Sequence, residues 1–368
     1  MIKQRPFSGY GLLGHRHRPF RELWTANLVS NLGSVMLLLA AAWFMTSITE
    51  NALTVALVQT AVSLPFVFLS IPFGILSDLF GHRRLLLLAQ VWMLLSTGAL
   101  ALITWRGQLT SWLLLSLLAL TGVGAVIQQS SWKPLLYDLV PRESAVAVLS
   151  LNSLSNKLGQ AAGPIIGGYL MGIAGAAAVF AVKVVSHVIM ILALWPVPKR
   201  AVLESEEPQS SPDLRRSLRE GWRFLCGSPE VHGPMIRCAV FMAPCAGMVA
   251  LLPLDARENI QTEVLGFGEL LTVLSLGMVA AVSLMPLLQR HFRMASMATA
   301  AQAVFSLALL GISQWDSMLL DALFLLFAGF TWSILSVSCQ VSVQTSSPDR
   351  MRGLMTSFYG LNCKRIRD

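Results

Sequence analysis

Long uncharged apolar runs alternate with short charged segments along the chain. Residues 23–49 contain no Asp, Glu, Lys or Arg, an unbroken run of 27. Residues 51–77, 85–105, 107–132, 238–254, 270–289, 294–315 and 322–348 are likewise uncharged, and 144–198 holds only Lys157 and Lys183. A helix crosses the bilayer's hydrocarbon core with about 20 apolar residues, so each run is long enough, or nearly so, for a membrane span. Within 144–198 the sequence Gly172-Ile173-Ala174-Gly175 predicts a hairpin that divides the run in two. Ten helices are predicted, near 22–48, 53–77, 83–105, 110–136, 145–171, 175–196, 234–255, 266–289, 294–314 and 319–345. The first run exceeds the ~7–15-residue apolar core of a secretory signal, so it is read as a retained span.

One polar segment interrupts this pattern. Residues 197–233 carry six basic and six acidic side chains, with Pro208 and a Ser210-Ser211-Pro212 linker. Asp213 to Cys226 suits a short amphipathic helix. The expected organisation is therefore a polar N-terminus (1–21), a six-helix bundle (22–196), a linker (197–233), a second and incomplete bundle (234–362), and an atypical tail (363–368).

Composition supports a lipid environment. Only 12% of the 368 residues are charged and 55% are hydrophobic, where soluble domains carry about 25% charged residues. The mean hydropathy is +0.64. The net charge of +8 does not point to nucleic acid, because the bases lie between apolar runs and form no basic face. Their placement sets topology. Five bases in the N-terminus, Arg83 and Arg84, Arg142, six in the 197–233 segment, Arg290 and Arg293, and Arg350 and Arg352 fall on one side. That is eighteen, against Arg106 and Arg257 on the other, which places the N-terminus in the cytoplasm. The five cysteines (226, 238, 245, 339, 363) show no metal or redox spacing and read as buried thiols. The six histidines are scattered, and neither a P-loop nor a GxSxG motif occurs.

The halves repeat. Pro141-Arg142-Glu143 follows the fourth helix and Pro348-Asp349-Arg350 the tenth, 207 residues later; the same offset carries Arg83 onto Arg290. Duplicated bundles around a midplane site are the architecture of secondary transporters. The offset places an eleventh helix near 352–378 and a twelfth near 382–403, whereas the chain ends at Asp368. Gly353 to Asn362 begins as an eleventh helix should, then gives way to Cys363-Lys364-Arg365-Ile366-Arg367-Asp368. A C-terminal truncation is expected, with a ten-helix protein bearing an interfacial tail as the alternative. The predicted fold class is all-α and integral to the membrane: two pseudo-repeat bundles with six and four complete transmembrane helices and a partial eleventh.

Two motifs carry a resemblance. Gly74-Ile75-Leu76-Ser77-Asp78-Leu79-Phe80-Gly81-His82-Arg83-Arg84, between the second and third helices, is similar to the GxLaDrxGrrxxl loop of the major facilitator superfamily. Glycines there permit a tight turn, and Asp78 suits a base or a helix N-terminus. The resemblance implies a cytoplasmic gating latch in which the acid meets the start of the eleventh helix and Gly74, Asp78, Gly81, Arg83 and Arg84 take part. In the fifth helix, Gly159-Gln160-Ala161-Ala162-Gly163-Pro164-Ile165-Ile166-Gly167-Gly168 resembles the GxxxGPxxGG signature of exporters in that superfamily. Gly159, Gly163 and Gly167 lie on one face and allow close helix packing, while Pro164 can kink the helix. With Gly168, the resemblance implies a flexing, ion-tight seam between the halves, and export rather than uptake. Phe20 to Leu32 and Leu139 to Glu143 also resemble the branch containing the enterobactin exporter and macrolide-efflux-like proteins. Two departures from that branch bear on proton coupling: no arginine stands near Gly122-Val123-Gly124, and Ser34 occupies a position where an acid is often found.

Ionisable residues within a bilayer are functional candidates. Lys157 and Lys183 fall near mid-span, and a cationic centre suits an anionic or catecholate substrate. Asn27, Asn31, Gln128 and Gln129 can add hydrogen bonds to such a cavity and Trp132 an aromatic surface; helix-to-helix bonding by the amides is the competing reading. Lys133, Arg237 and Asp321 lie near helix ends and are expected at the interface. The expected function is secondary active export of a small amphipathic molecule, a siderophore or drug, across the inner membrane by alternating access with proton coupling. The expected partners are the lipid bilayer, a small-molecule substrate and protons, with no nucleic acid, cofactor or metal. Two alternatives stay open: a non-functional remnant of such a transporter, and a membrane-embedded enzyme, disfavoured because no His, Cys or acid cluster occurs at bilayer depth.

Overall fold

A computed structural model describes residues 18–139, 145–197, 229–315 and 317–346. The apolar runs become helices whose own ladders satisfy the backbone, as hydrocarbon requires. The helices are α1 (Arg18–Ile48), α2 (Ala52–Phe80), α3 (His82–Trp105), α4 (Ser111–Asp138), α5 (Ala145–Leu194), α6 (Pro229–Glu258), α7 (Val264–His291), α8 (Met294–Ile312) and α9 (Met318–Ser346). No strand occurs among the described residues.

Eight of these are long and apolar enough to cross a membrane, with α5 counted once, and α8 adds the shorter apolar stretch Ser296–Ile312. With 50 residues, α5 would run about 75 Å, more than twice the hydrocarbon thickness. It is broken at Gly175, where φ is 78° and ψ 174°, and so has two arms, 145–174 and 176–194. The expected hairpin is thus a single-residue break. The ten apolar spans read from the sequence all reappear as helix.

Local chemistry sets the helix ends. Asn51 caps α2, its side chain accepting from the Leu53 and Thr54 backbone N–H groups at 2.9 and 3.3 Å. The helix stops at Gly81, whose φ of 82° is open to glycine and strained for other residues. The same glycine precedes the first residue of α3, so one residue separates the two helices.

Packing divides the chain into two compact units. The first comprises Met1–Val197 and Ala250–Thr272, the second Pro198–Val249 and Val273–Asp368. The stretch expected to form one second bundle, 234–362, is therefore shared: the end of α6 and the start of α7 pack with the first unit. Trp43 stacks on Phe267 with ring centroids 5.5 Å apart, and Arg257 Nη1 donates to Thr46 Oγ1 at 3.2 Å.

In the first unit, α1 lies against α5, α2 against α4, and α3 against both α4 and α5. Two large apolar clusters lie at different levels. One gathers Met36 to Met45 of α1 with Leu100, Leu114 to Leu118, Val179 and Phe180. The other gathers Phe20, Leu23 and Ala26 with Trp132, Leu136, Leu151, Met190 and Leu194. Buried polar residues of each of these helices fall between the two levels, among them Asn27 and Ser30 on α1, Gln90 on α3, Thr121 on α4, and Ser155, Lys183 and His187 on α5, while Thr46 of α1 lies beyond the first cluster.

In the second unit, α7 and α9 meet backbone to backbone. A methyl group on Gly329 would strike the Leu274 carbonyl, and one on Gly277 the Leu326 carbonyl. Phe241 of α6 meets Phe305 of α8 at 4.7 Å.

Several expectations fall outside the described residues: most of the N-terminus and of the 197–233 segment with its amphipathic helix, the Pro141-Arg142-Glu143 and Pro348-Asp349-Arg350 loops, the start of an eleventh helix at 353–362, and the 363–368 tail.

Two glycine substitutions separate conformational need from space. Gly81→Ala places a Cβ at positive φ and is expected to destabilise the fold by roughly 1–2 kcal/mol. Gly163→Leu forces bulk against Val35, whose Cβ lies 2.8 Å from an added Cβ, and is expected to cost about 1–3 kcal/mol. Gly74→Ala, with nothing within 4 Å, is the neutral control. Thermal unfolding in detergent measures all three.

Candidate functional site

The polar layer between the two apolar clusters is built from α1 outward. Asn27, Ser30, Asn31 and Ser34 recur at helical spacing and form one stripe. Asn27 and Ser30 are buried, Asn31 is half-buried and Ser34 is exposed, so the stripe runs from the packed interior to the surface. Asn27 Nδ2 and Asn31 Nδ2 both donate to Ser155 Oγ of α5, at 3.3 and 2.9 Å. The buried Trp132 Nε1 donates to Asn152 Oδ1 at 2.8 Å.

Lys183, on the second arm of α5, is 3% exposed. Its Nζ donates to the Ser30 carbonyl (3.0 Å), Ser30 Oγ (3.1 Å) and Ser34 Oγ (2.9 Å). An ammonium has three N–H donors, and these contacts use all three. One turn further, His187 is fully buried and its Nδ1 lies 2.8 Å from Gln90 Oε1. Gln90 Nε2 then donates to Gln128 Oε1 at 3.0 Å. His187 Nε2 is buried with no hydrogen-bond partner among the described residues.

The candidates thus fall into groups. Asn27 and Asn31 converge on Ser155, and Gln128 reaches the Lys183 arm through Gln90 and His187. Gln129 is exposed and Lys157 half-buried. A direct contact from Lys183 to substrate, the role expected of a cationic cavity centre, has no donor left to make it. Ser30, Gln90, Ser155 and His187 were not foreseen from the sequence. The polar spacing on α1 carried the first, and a histidine and a glutamine inside otherwise apolar runs carried two more. No group of three His, Cys, Asp or Glu suited to a metal occurs among the described residues.

At the loop motif, Arg83 donates from Nε to the Leu194 carbonyl (3.1 Å) and from Nη2 to the Trp195 carbonyl (2.8 Å). It caps the last carbonyls of α5, where a cation also meets the negative helix end. Ser77 Oγ bonds His82 Nδ1 (2.9 Å) and Ser131 Oγ (3.0 Å). Arg84 is exposed, and the Asp78 side chain lies outside the described residues. The latch implied by the resemblance also falls outside them on its eleventh-helix side. Gly81 is set by its φ, and Gly74 has open space around it.

In the α5 motif, methyl groups on Gly159, Gly163 and Gly167 would meet Asn31, Val35 and Met36 at 3.0, 2.8 and 3.1 Å. This glycine face is therefore a seam with α1 inside the first unit. Gly168 points elsewhere, toward the Val264 carbonyl (2.9 Å), and Gly268 toward the Pro164 carbonyl (2.6 Å). Asp321, expected at the interface, stands in the first turn of α9 but is 1% exposed. Arg237 donates to Thr299 Oγ1 at 3.0 Å, and Lys133 is exposed.

Comparison with known proteins agrees with this architecture. The chain is similar to macrolide efflux protein A of Streptococcus pyogenes, 20% identical over 65% of this chain and 59% of that protein. It is 21% identical to the staphyloferrin A transporter of Staphylococcus aureus over 73% of this chain and 67% of that one. It is 25% identical to the enterobactin exporter EntS of Escherichia coli O1:K1 over 60% of this chain and 52% of that one. The chain thus spans about three fifths of the macrolide efflux protein (59%) and about half of EntS (52%). Among solved structures, a bacterial homolog of the human lysosomal transporter Spinster, inward-facing and unoccupied, superposes with a TM-score of 0.76 at 13% identity, covering 95% of this chain and 80% of that one. The nucleoside transporter NupG gives 0.71 at 9% identity, covering 95% and 88%. The sequence model of the family described as transmembrane secretion effector matches residues 11–363, and the chain belongs to that family, within the major facilitator superfamily.

Proposed function

We propose that the protein is a secondary active exporter that moves a small amphipathic molecule of the siderophore or drug class across the inner membrane by alternating access, coupled to protons. The observation that carries this reading is the polar layer of the first unit. Hydrocarbon penalises every polar side chain placed in it, so a layer of amides, hydroxyls and an amine that lies between two apolar clusters and reaches the surface at Ser34 and Gln129 supports the reading of a solute path. The names of the similar proteins, a macrolide efflux protein and two siderophore transporters, support the substrate class. The eighteen-to-two distribution of bases supports a cytoplasmic N-terminus.

Lys157 is the basic side chain of the layer's surroundings that is only half-buried, and its place on α5 near the Asn31–Ser155 contact suits the negative groups of a substrate. Gln129, exposed on α4, adds a neutral donor and acceptor.

In inverted vesicles containing the full chain, an acid-inside gradient is expected to drive accumulation of enterobactin or erythromycin, and a protonophore to abolish it. A chain that moves no compound from a panel of siderophores and macrolides overturns the reading. Lys157→Gln is expected to raise the half-saturating concentration of anionic enterobactin about tenfold, the equivalent of ~1.4 kcal/mol, and to leave that of erythromycin within twofold. Equal losses for both compounds would remove Lys157 from charge recognition.

A further inference from the structure

We propose that Lys183 is the group that takes up and releases the coupling proton, with Ser34 as its opening to water and His187 as a neighbouring base that limits the pair to one charge. The proposal rests on the proton-coupled reading above. It names a basic carrier whose own hydrogen-bond shell holds no acid.

The first observation is the shell of Lys183. Its three oxygen partners are one backbone carbonyl and two serine hydroxyls, and none is a carboxylate. A buried ammonium normally pairs with an acid, which holds it charged through any cycle. Here nothing does. The shell also serves the neutral amine. When the proton leaves, the Nζ lone pair needs a donor, and the Ser30 hydroxyl, 3.1 Å away, supplies one by rotating its hydrogen. Both states are therefore hydrogen-bonded without movement of a helix.

The second observation is access. Ser34 Oγ touches Lys183 Nζ at 2.9 Å, yet Ser34 itself is exposed. It ends the Asn27–Ser30–Asn31 stripe at the surface, where its hydroxyl donates back to the Ser30 carbonyl at 2.9 Å while accepting from Nζ; this exposed oxygen is taken as the point that meets water. A proton arriving from water at Ser34 forms an N–H bond with the amine lone pair. On release, that bond breaks and the proton returns to water.

The third observation is His187, four residues from Lys183 on the same helix and wholly buried. With its Nδ1 on Gln90 Oε1 and its Nε2 unpartnered among the described residues, it is a second buried nitrogen base one turn from Lys183. A second positive charge one turn away would be repelled in this apolar surround. The titratable groups on the helices packed against α5 are Arg18, Arg21 and Glu22 of α1, His82, Arg83 and Arg84 of α3, Lys133, Tyr137 and Asp138 of α4, and Glu269 of α7 next to Gly268, with Lys157 and Tyr169 on the other arm of α5 itself. Those of α1 and α3 stand roughly 9 Å or more along their helices from Ser30 and Gln90.

The test reads proton binding directly on the purified full chain. Lysine NMR of the isotope-labelled wild type, in a Lys157→Gln background for assignment, is expected to show one buried amine that gains and loses a proton reversibly and that disappears in Lys183→Gln. Difference proton titration is expected to show one proton fewer exchanged across the titration by Lys183→Gln, which carries no proton there, and by Lys183→Arg, whose guanidinium never gives its proton up. No titrating amine and no difference overturns the proposal, whatever the vesicles do. Conversely, a wild type that titrates but moves no siderophore or macrolide overturns the transport reading and leaves the proton site standing. Where both hold, Lys183→Gln is expected to reduce gradient-driven erythromycin accumulation to the protonophore-treated level, and undiminished accumulation overturns the assignment.

Discussion

A primary amine held among neutral oxygens in a hydrocarbon-thick bundle constrains nearly everything around it. Three oxygens must come within about 3 Å of Lys183 Nζ, and all three belong to one turn of α1. The helix can approach that closely only where side chains do not intervene. Gly33 provides the gap: a methyl there would meet Lys183 Cδ at 3.1 Å and Ser186 Oγ at 3.3 Å. On its other flank α1 is pressed against the first arm of α5 through Gly159, Gly163 and Gly167. So α1 is clasped by both arms of a helix that turns back at Gly175. The close approach makes up in dispersion and hydrogen bonding what membrane helices lack in hydrophobic drive.

The same logic orders the first unit by level. Apolar clusters above and below exclude water and leave the polar atoms dependent on one another. Asn27 and Asn31 share one serine oxygen, and Gln90 bridges His187 to Gln128. At the ends the demands differ. Arg83 can satisfy the last carbonyls of α5 because its guanidinium reaches outward to the interface while its stem packs inside.

The helices were legible because hydrophobicity is a property of runs, and runs of about 20 residues have one solution in a bilayer. The break at Gly175 was legible from glycine, and the glycine face of α5 from its four-residue spacing. The partners were not. Nothing in the order of residues says that Gly163 meets Val35, or that Arg83 ends on the Leu194 carbonyl. Attention to charge also hid the neutral polar groups: Ser30, Gln90 and His187 interrupt no charge-free run, yet they complete the layer. The grouping of the end of α6 and the start of α7 with the first unit is set by packing, since both helices are continuous in sequence and carry no mark at that point.

The single residue between α2 and α3 has a mechanical meaning. With 29 residues, α2 extends about 43 Å. A rotation of about 10° in the torsions of Gly81 would swing its far end by roughly 7 Å. A longer connection would dissipate such a rotation among many bonds. Here it is concentrated at one pivot, and the neighbouring Arg83 anchors the α3 side of that pivot to the end of α5. Because α2 lies along α4 and holds Pro65 and Pro72 within it, any such rotation would have to be absorbed along that packed face or at those prolines.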